Sequence, residues 1–208
     1  QLSLSRTRQL FAKRNNSFTE IIAAGNHLTA GPTAMNTLLL LLDGLQPNGV
    51  TRFKLDPNHL MSAMGAASAV DSAVPVHLLA SDLFPELGTV ISPFSDARFG
   101  EPILHARISF AEGEPLELEV NKGEIKVIPL ESGQKAHLVI TGFPRTWITE
   151  RPARTRVELD VTGGLCGLVI DGRGRPIYLS KDDDERIQVQ KIWRNQLGIG
   201  NKVSMGVL

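Results

Sequence analysis

Cysteine is almost absent from this chain of 208 residues: Cys166 stands alone, which excludes an internal disulfide framework and any multi-cysteine zinc site within one copy. Stability must come from packing. Net charge is absent as well, with 22 Lys and Arg against 22 Asp and Glu, so the surface as a whole is not built to grip nucleic acid or an anionic membrane. Long apolar runs are missing: the longest, Leu38 to Leu42, falls far short of the roughly 18 residues of a membrane-spanning helix. No signal-peptide pattern is read, and the expected location is cytoplasmic. An initiator methionine is missing too, since the chain opens on Gln1. The expectation is therefore a processed or cut portion of something longer.

What is present is the composition of a folded protein, 42% hydrophobic and 21% charged, with a length that gives room for a core and for two modest domains. The first stretch carries Arg6, Arg8, Lys13 and Arg14 with no acid before Glu20. It reads as a basic arm or short helix, either anion-binding or simply a solvated surface. Phe18 to Ala24 reads as a buried strand running into a turn at Gly25. Gly31, Pro32 and Thr33 start a helix whose Leu38, Leu41, Leu42 and Leu45 share one face, and Gln46-Pro47-Asn48-Gly49 stops it. Val50 to Leu55 alternates as a strand with one wet face. Asp56-Pro57 then signals a further helix, whose small residues permit close packing. This half reads as an α/β layer.

The turn-rich stretch from Ser92 to Gly100 marks a boundary, so the expected division is 1–98, 99–180 and 181–208. Beyond it, short alternating strands around Leu104, Ala106 and Ile108, around Leu116 to Val120, around Ile125 and Val127, and around Ala136, Leu138 and Ile140 predict a barrel-like or sandwich β domain. Arg156 to Val161 and Leu165 to Ile170 extend it. Asp182 with Glu185 resembles a capping box opening a C-terminal helix that buries Ile192, Trp193 and Leu197, followed by an extended tail.

Recognisable catalytic patterns are lacking. There is no HExxH pair, no GxSxG elbow and no EF-hand loop, and Gly167 to Gly172 has no GK[ST] ending. The histidines His27, His59, His77, His105 and His137 show no metal-ligand spacing, and His27 draws notice only because its loop directly follows a strand. Asp171 flanked by Arg173 and Arg175 reads either as an acid or base held ionised or as a turn with local ion pairs. Cys166, in an apolar run, reads as an inert buried thiol rather than a nucleophile. The acidic run Asp182 to Glu185 reads as a divalent-ion site or, more simply, as a helix start complementing the dipole.

The segments IIAAGNHLTAGPT, LLLLLDGLQPNGV, LDPNHLMSAMGAASAV, LGTVISPFSDARFGE, KVIPLESGQ and TGGLCGLVIDGRGRPI, in that order from about Ile21 to Trp193, resemble the carboxy-terminal part of the glutamate mutase L family. These are accessory proteins of cobalamin-dependent mutases. The resemblance implies part of an actin-like ATPase lobe, of the superfamily that includes sugar kinases and heat-shock chaperones. It also implies that Gly25, Asn26, His27 and Leu28 correspond to a vestigial adenosine loop, with Asn26 where a second glycine would fall. The phosphate loops of the first lobe lie outside this sequence. ATP therefore belongs to a complete parent protein and no cofactor to this chain alone. The expected function is non-catalytic protein interaction, with a cobalamin-dependent mutase among the partners. The alternatives are a structural subunit of a homo-oligomer or larger assembly, and a small-molecule enzyme using Asp171, Arg173 and Arg175.

Overall fold

The structure is a computed structural model that describes residues 17–29, 31–150 and 153–199. In chain order it runs β1 (Glu20–Ala24), α1 (Asn26–Thr29), α2 (Ala34–Leu45), β2 (Gly49–Asp56), α3 (Leu60–Ala67), α4 (Ala73–Leu79), β3 (Glu86–Ser92), β4 (Phe94–Ser95), β5 (Pro102–Phe110), β6 (Leu116–Asn121) and β7 (Ile125–Ile128). It continues with β8 (Lys135–Gly142), β9 (Thr146–Trp147), β10 (Thr149–Glu150), β11 (Ala153–Arg154), β12 (Arg156–Thr162), β13 (Leu168–Asp171) and α5 (Asp183–Gln196). The basic arm around Arg6 to Arg14 and the tail beyond Ile199 lie outside the described residues.

Two sheets organise the chain. A five-stranded mixed sheet has the order β1-β2-β3-β13-β7, and a four-stranded antiparallel sheet has the order β12-β8-β5-β6. In the first, β1 runs parallel to β2 and β13 parallel to β3, while β2–β3 and β13–β7 are antiparallel. Side-chain alternation decides which core each residue enters. Leu168 and Ile170 of β13 join Leu104, Ala106, Ile108, Leu138 and Ile140 in the core between the sheets. Val169, between them in sequence, joins Phe53, Val90, Leu38 and Trp193 in the core under the helices. The order of layers is thus helices, five-stranded sheet, four-stranded sheet. Strand β13 is buried on both faces, which is why LVI reads as a continuous apolar run without alternation.

The mixed α/β class and the C-terminal helix match expectation, whereas the barrel does not form: the second sheet is open, with β12 and β6 at its edges. The reason is recruitment. Strands β7 and β13, expected beside β5 and β8, pair with each other and with β3, which leaves four strands, too few to close around a core. The five-stranded sheet consequently draws β1 to β3 from before the Ser92–Gly100 turns and β7 and β13 from after them.

Local differences follow from capping and phase. Thr33 caps α2, its Oγ1 accepting from Asn36 N at 3.2 Å, so Pro32 precedes the helix instead of entering its first turn. Gln46 ends α2 in the left-handed region, at φ 46°. Asp56 serves α3 from a distance, its two carboxylate oxygens accepting from Leu60 N at 2.8 Å and Met61 N at 2.9 Å, with His59 as the cap residue. Strand β1 is an edge strand, only partly buried, and Phe18 lies outside it. In α5, Asp182 caps by accepting from Asp184 N and Glu185 N. Glu185 takes Ser180 Oγ at 2.8 Å and does not close a capping box. Trp193 and Leu197 are buried as expected, but Ile192 is 51% exposed.

Candidate functional site

Strand β13 delivers Asp171 into a closed charge cluster. Asp171 is fully buried at the strand's end, and the following turn brings Arg173 and Arg175 back onto it. Its Oδ1 accepts from Arg173 Nε at 2.9 Å and from Arg173 N at 3.1 Å. Its Oδ2 accepts from Arg173 Nη2 at 2.9 Å and Arg175 Nη2 at 2.7 Å. The paired contact from Arg173 is the bidentate geometry that makes arginine–carboxylate bonds strong and directional. The arginines' other donors are also engaged. Arg173 Nη1 meets Asp43 Oδ1 of α2 at 2.6 Å, and its guanidinium lies 5.0 Å from the centroid of the Trp193 ring of α5. Arg175 donates to Pro47 O, Gly174 O and Ser92 Oγ, each at 2.9 Å.

Burial alone would raise the Asp171 pKa, but the charges of Arg175 and Arg173 and their hydrogen bonds overcome it and hold the carboxyl well below its ordinary range. A general base at neutral pH needs a higher pKa and a free lone pair facing substrate, and Asp171 offers neither. The cluster instead ties α2, β3, β13 and α5 together. Nearby, Lys122 donates from Nζ to Ser95 O at 2.8 Å. Burial lowers its pKa, with Arg175 acting in the same direction and Asp96 and Asp171 opposing.

The turn after β1 is the second place. Gly25 adopts φ 99°, where a side chain would be strained, and its carbonyl accepts from Leu28 N and Thr29 N, both at 3.0 Å, and from Thr29 Oγ1 at 3.1 Å. Thr37 of α2 donates to Leu28 O at 2.8 Å and fixes the turn against that helix. Asn26 and His27 are exposed. Gly25 answers a backbone requirement, and a Cβ there would meet no protein atom within 4 Å. The loop's polar side chains either face solvent or, as in Thr29, turn back onto Gly25.

Other candidates resolve separately. Cys166 is 4% exposed, and burial pushes its thiol up to about 12. His137 Nδ1 lies 2.9 Å from Asp160 Oδ1, and His105 Nε2 lies 3.8 Å from a Glu117 oxygen, both pairs on the outer face of the four-stranded sheet. His59 caps α3, and His77 belongs to α4. Among the described residues, no three His, Cys, Asp or Glu side chains gather as a metal-ion set, and no helix is long and apolar enough to cross a membrane.

A third place was not read as a site from sequence. The helical pair α3–α4 and its flanks expose Met61, Val70, Val74, Val76, Leu79 and Leu83, with Val70 92% and Val76 64% accessible. Met64 is the one buried residue of α3, and α4 has none. The signal was available in LMSAMGAASAVDSAVPVHLLASDL, a stretch holding no Lys or Arg. Its small residues, expected to permit close packing, mostly face outward. Asp43 and Lys122 were also missed, because nothing near them in sequence announces their contacts.

Comparison of the chain with protein families, with curated proteins and with solved structures finds no match.

Proposed function

We propose that this chain is a non-catalytic interaction portion of a glutamate mutase L-like accessory protein, acting in the cytoplasm on a protein partner such as a cobalamin-dependent mutase. The observation that carries the interaction reading is the α3–α4 pair, which presents Met61, Val70, Val76 and Leu79 to solvent on helices that bury little else. Exposed apolar side chains concentrated in one helical segment support an interaction face. Support for the non-catalytic part comes from Asp171, a fully buried carboxylate whose oxygens are both consumed by arginine donors. The strand–glycine–helix sequence at Ala24 to Thr29, with β1 parallel to β2, supports the resemblance to an actin-like lobe at its vestigial adenosine loop. In this reading ATP would be held only by a complete parent protein.

Titration calorimetry tests both halves. Purified cobalamin-dependent glutamate mutase is expected to give a saturable heat with this chain, and ATP none. Binding of ATP at micromolar Kd, or no interaction with the mutase in either its loaded or its cobalamin-free form, overturns the proposal.

A further inference from the structure

We propose that the free edge of β12 pairs antiparallel with β12 of a second copy about a two-fold axis at Val157, joining two four-stranded sheets into one of eight strands. The inference concerns a surface other than α3–α4 and does not rest on the interaction reading above. Strand β12 matches β8 residue for residue from Arg156 to Thr162, without a bulge. Gly142 N donates to Thr155 O and Gly163 N to Gln134 O, which fixes the phase of the ladder: odd-numbered residues of β12 bond to β8. The N–H and C=O groups of Arg156, Glu158 and Asp160 therefore point away from the sheet, and no other backbone group among the described residues takes them. The usual protections of an edge strand, a proline, a lysine or a bulge, are absent from β12.

The order of charges selects the occupant. Arg154 and Arg156 precede Val157, and Glu158 and Asp160 follow it at matching distances, so the pattern reverses sign about that residue. All four are exposed. Antiparallel pairing about Val157 sets Arg156 opposite Glu158 of the second copy twice over, and brings Arg154 to Asp160 across the bend at Thr155. Each Arg156 already meets Glu158 of its own strand at 2.6 Å, so the central four charges form a square in which every neighbour has the opposite sign. On the inner face, Val157 is only partly buried over the core between the sheets, and Val157 of the second copy covers it. An axis at Glu158 or Leu159 instead would set acid against acid. The other edges lack this self-complementarity. In β6 the outward charges are Glu117 and Glu119, both acids. In β7, Ile125 N is taken by Gln196 Oε1 of α5 at 3.0 Å, and in β1 the single charge, Glu20, is held by Arg52 and Lys54.

Sedimentation equilibrium at chain concentrations up to about 1 mM is expected to show a reversible dimer that weakens as salt rises. Arg156→Glu and Glu158→Arg each leave like charges facing one another and should weaken self-association by about tenfold or more. Their equimolar mixture should recover it, because each variant then faces the other's opposite charges. Far-UV circular dichroism checks that both variants stay folded, as expected where an exposed ion pair is broken. A second measurement does not depend on those variants. Val157→Cys places two cysteines at a non-hydrogen-bonded pair, with Cα atoms about 4.5 Å apart, and should cross-link under mild oxidation, whereas Leu159→Cys should not. The buried Cys166 contributes no background. A wild-type chain that stays monomeric throughout overturns the inference, as does a dimer insensitive to both charge reversals. Failure of the mixed, folded variants to associate overturns it too, as does a Val157→Cys form that does not cross-link. Growth beyond the dimer would point to open-ended pairing of β12 with β6 and would equally overturn the two-fold arrangement.

Discussion

The guanidinium of Arg173 lies 5.0 Å from the centroid of the Trp193 ring while its Nη1 grips Asp43 at 2.6 Å. One side chain from the turn after β13 thereby holds both helices of the covered sheet face, α2 through its acid and α5 through its indole. Trp193 Nε1 in turn donates to Gly123 O at 2.8 Å, which extends the tie to the β6–β7 turn. The consequences of this arrangement can be measured.

Asp171→Asn should destabilise the fold by about 3–5 kcal/mol at pH 7 in denaturant titration, since it leaves two buried arginines without their shared carboxylate. The pH dependence has a definite sign. The folded pKa lies below the ordinary 3.8, so the native state binds fewer protons than the unfolded chain once pH approaches that value. Its contribution is fully present above about pH 4 and fades as pH falls further. The variant should therefore lose less of its remaining stability in acid than the wild type does. Equal acid sensitivity of the two would contradict the ion-pair account.

Trp193→Ala should cost about 3–5 kcal/mol through lost packing under α5. Trp193→Phe keeps most of the ring and should cost only about 1–2 kcal/mol, for the bond to Gly123 and the weaker attraction to Arg173. Guanidinium unfolding curves followed by far-UV circular dichroism distinguish these values. A phenylalanine variant as unstable as the alanine one would place the energy in the hydrogen bond.

Cys166 should resist Ellman's reagent at pH 8 in the folded protein and react at once in denaturant. Its burial raises the pKa from 9.0 to about 12, so the native state keeps the proton that the unfolded thiol releases. Stability from this group is present below about pH 9 and declines as pH rises above it. Rapid labelling under native conditions would show that Cys166 is reached by solvent.

Gly164→Ala should destabilise by about 1–3 kcal/mol or more, the range of overpacking in a closed site. A Cβ there would stand 2.6 Å from Glu86 O and 2.7 Å from Gly88 N, both rigid backbone of β3. Gly65→Ala, with nothing within 4 Å and a place inside α3, should be neutral or stabilising. Thermal melts of the pair provide the comparison, and similar melting temperatures would refute the close approach.

Much of the local structure was legible because local pattern decides it. The inward set Leu104, Ala106 and Ile108 alternates strictly with the outward His105 and Arg107, and β5 follows that register. Which sheet a strand joins was not legible. Ile125 to Ile128 and Leu168 to Asp171 look like their neighbours in sequence, and their recruitment beside β3 is set by long-range closure of the core. The charge cluster was half legible: Asp171, Arg173 and Arg175 are adjacent in sequence, but Asp43 comes from 130 residues away. Ile192 was misread because one helical step separates it from Trp193, whose indole takes the buried position.

The placement of β13 bears on how this fold can be built by a ribosome. It is the last strand of the described residues, yet it sits between β3 and β7, and those two are joined to the same sheet only through it. Until residues 168–171 have emerged, β3 and β7 each present a raw, apolar hydrogen-bonding edge, with no partner for the LVI stretch that is to fill the gap. A nascent chain stalled before Leu168 is therefore a template for wrong strand pairing, and the interval of greatest aggregation risk ends only when that late strand slots in.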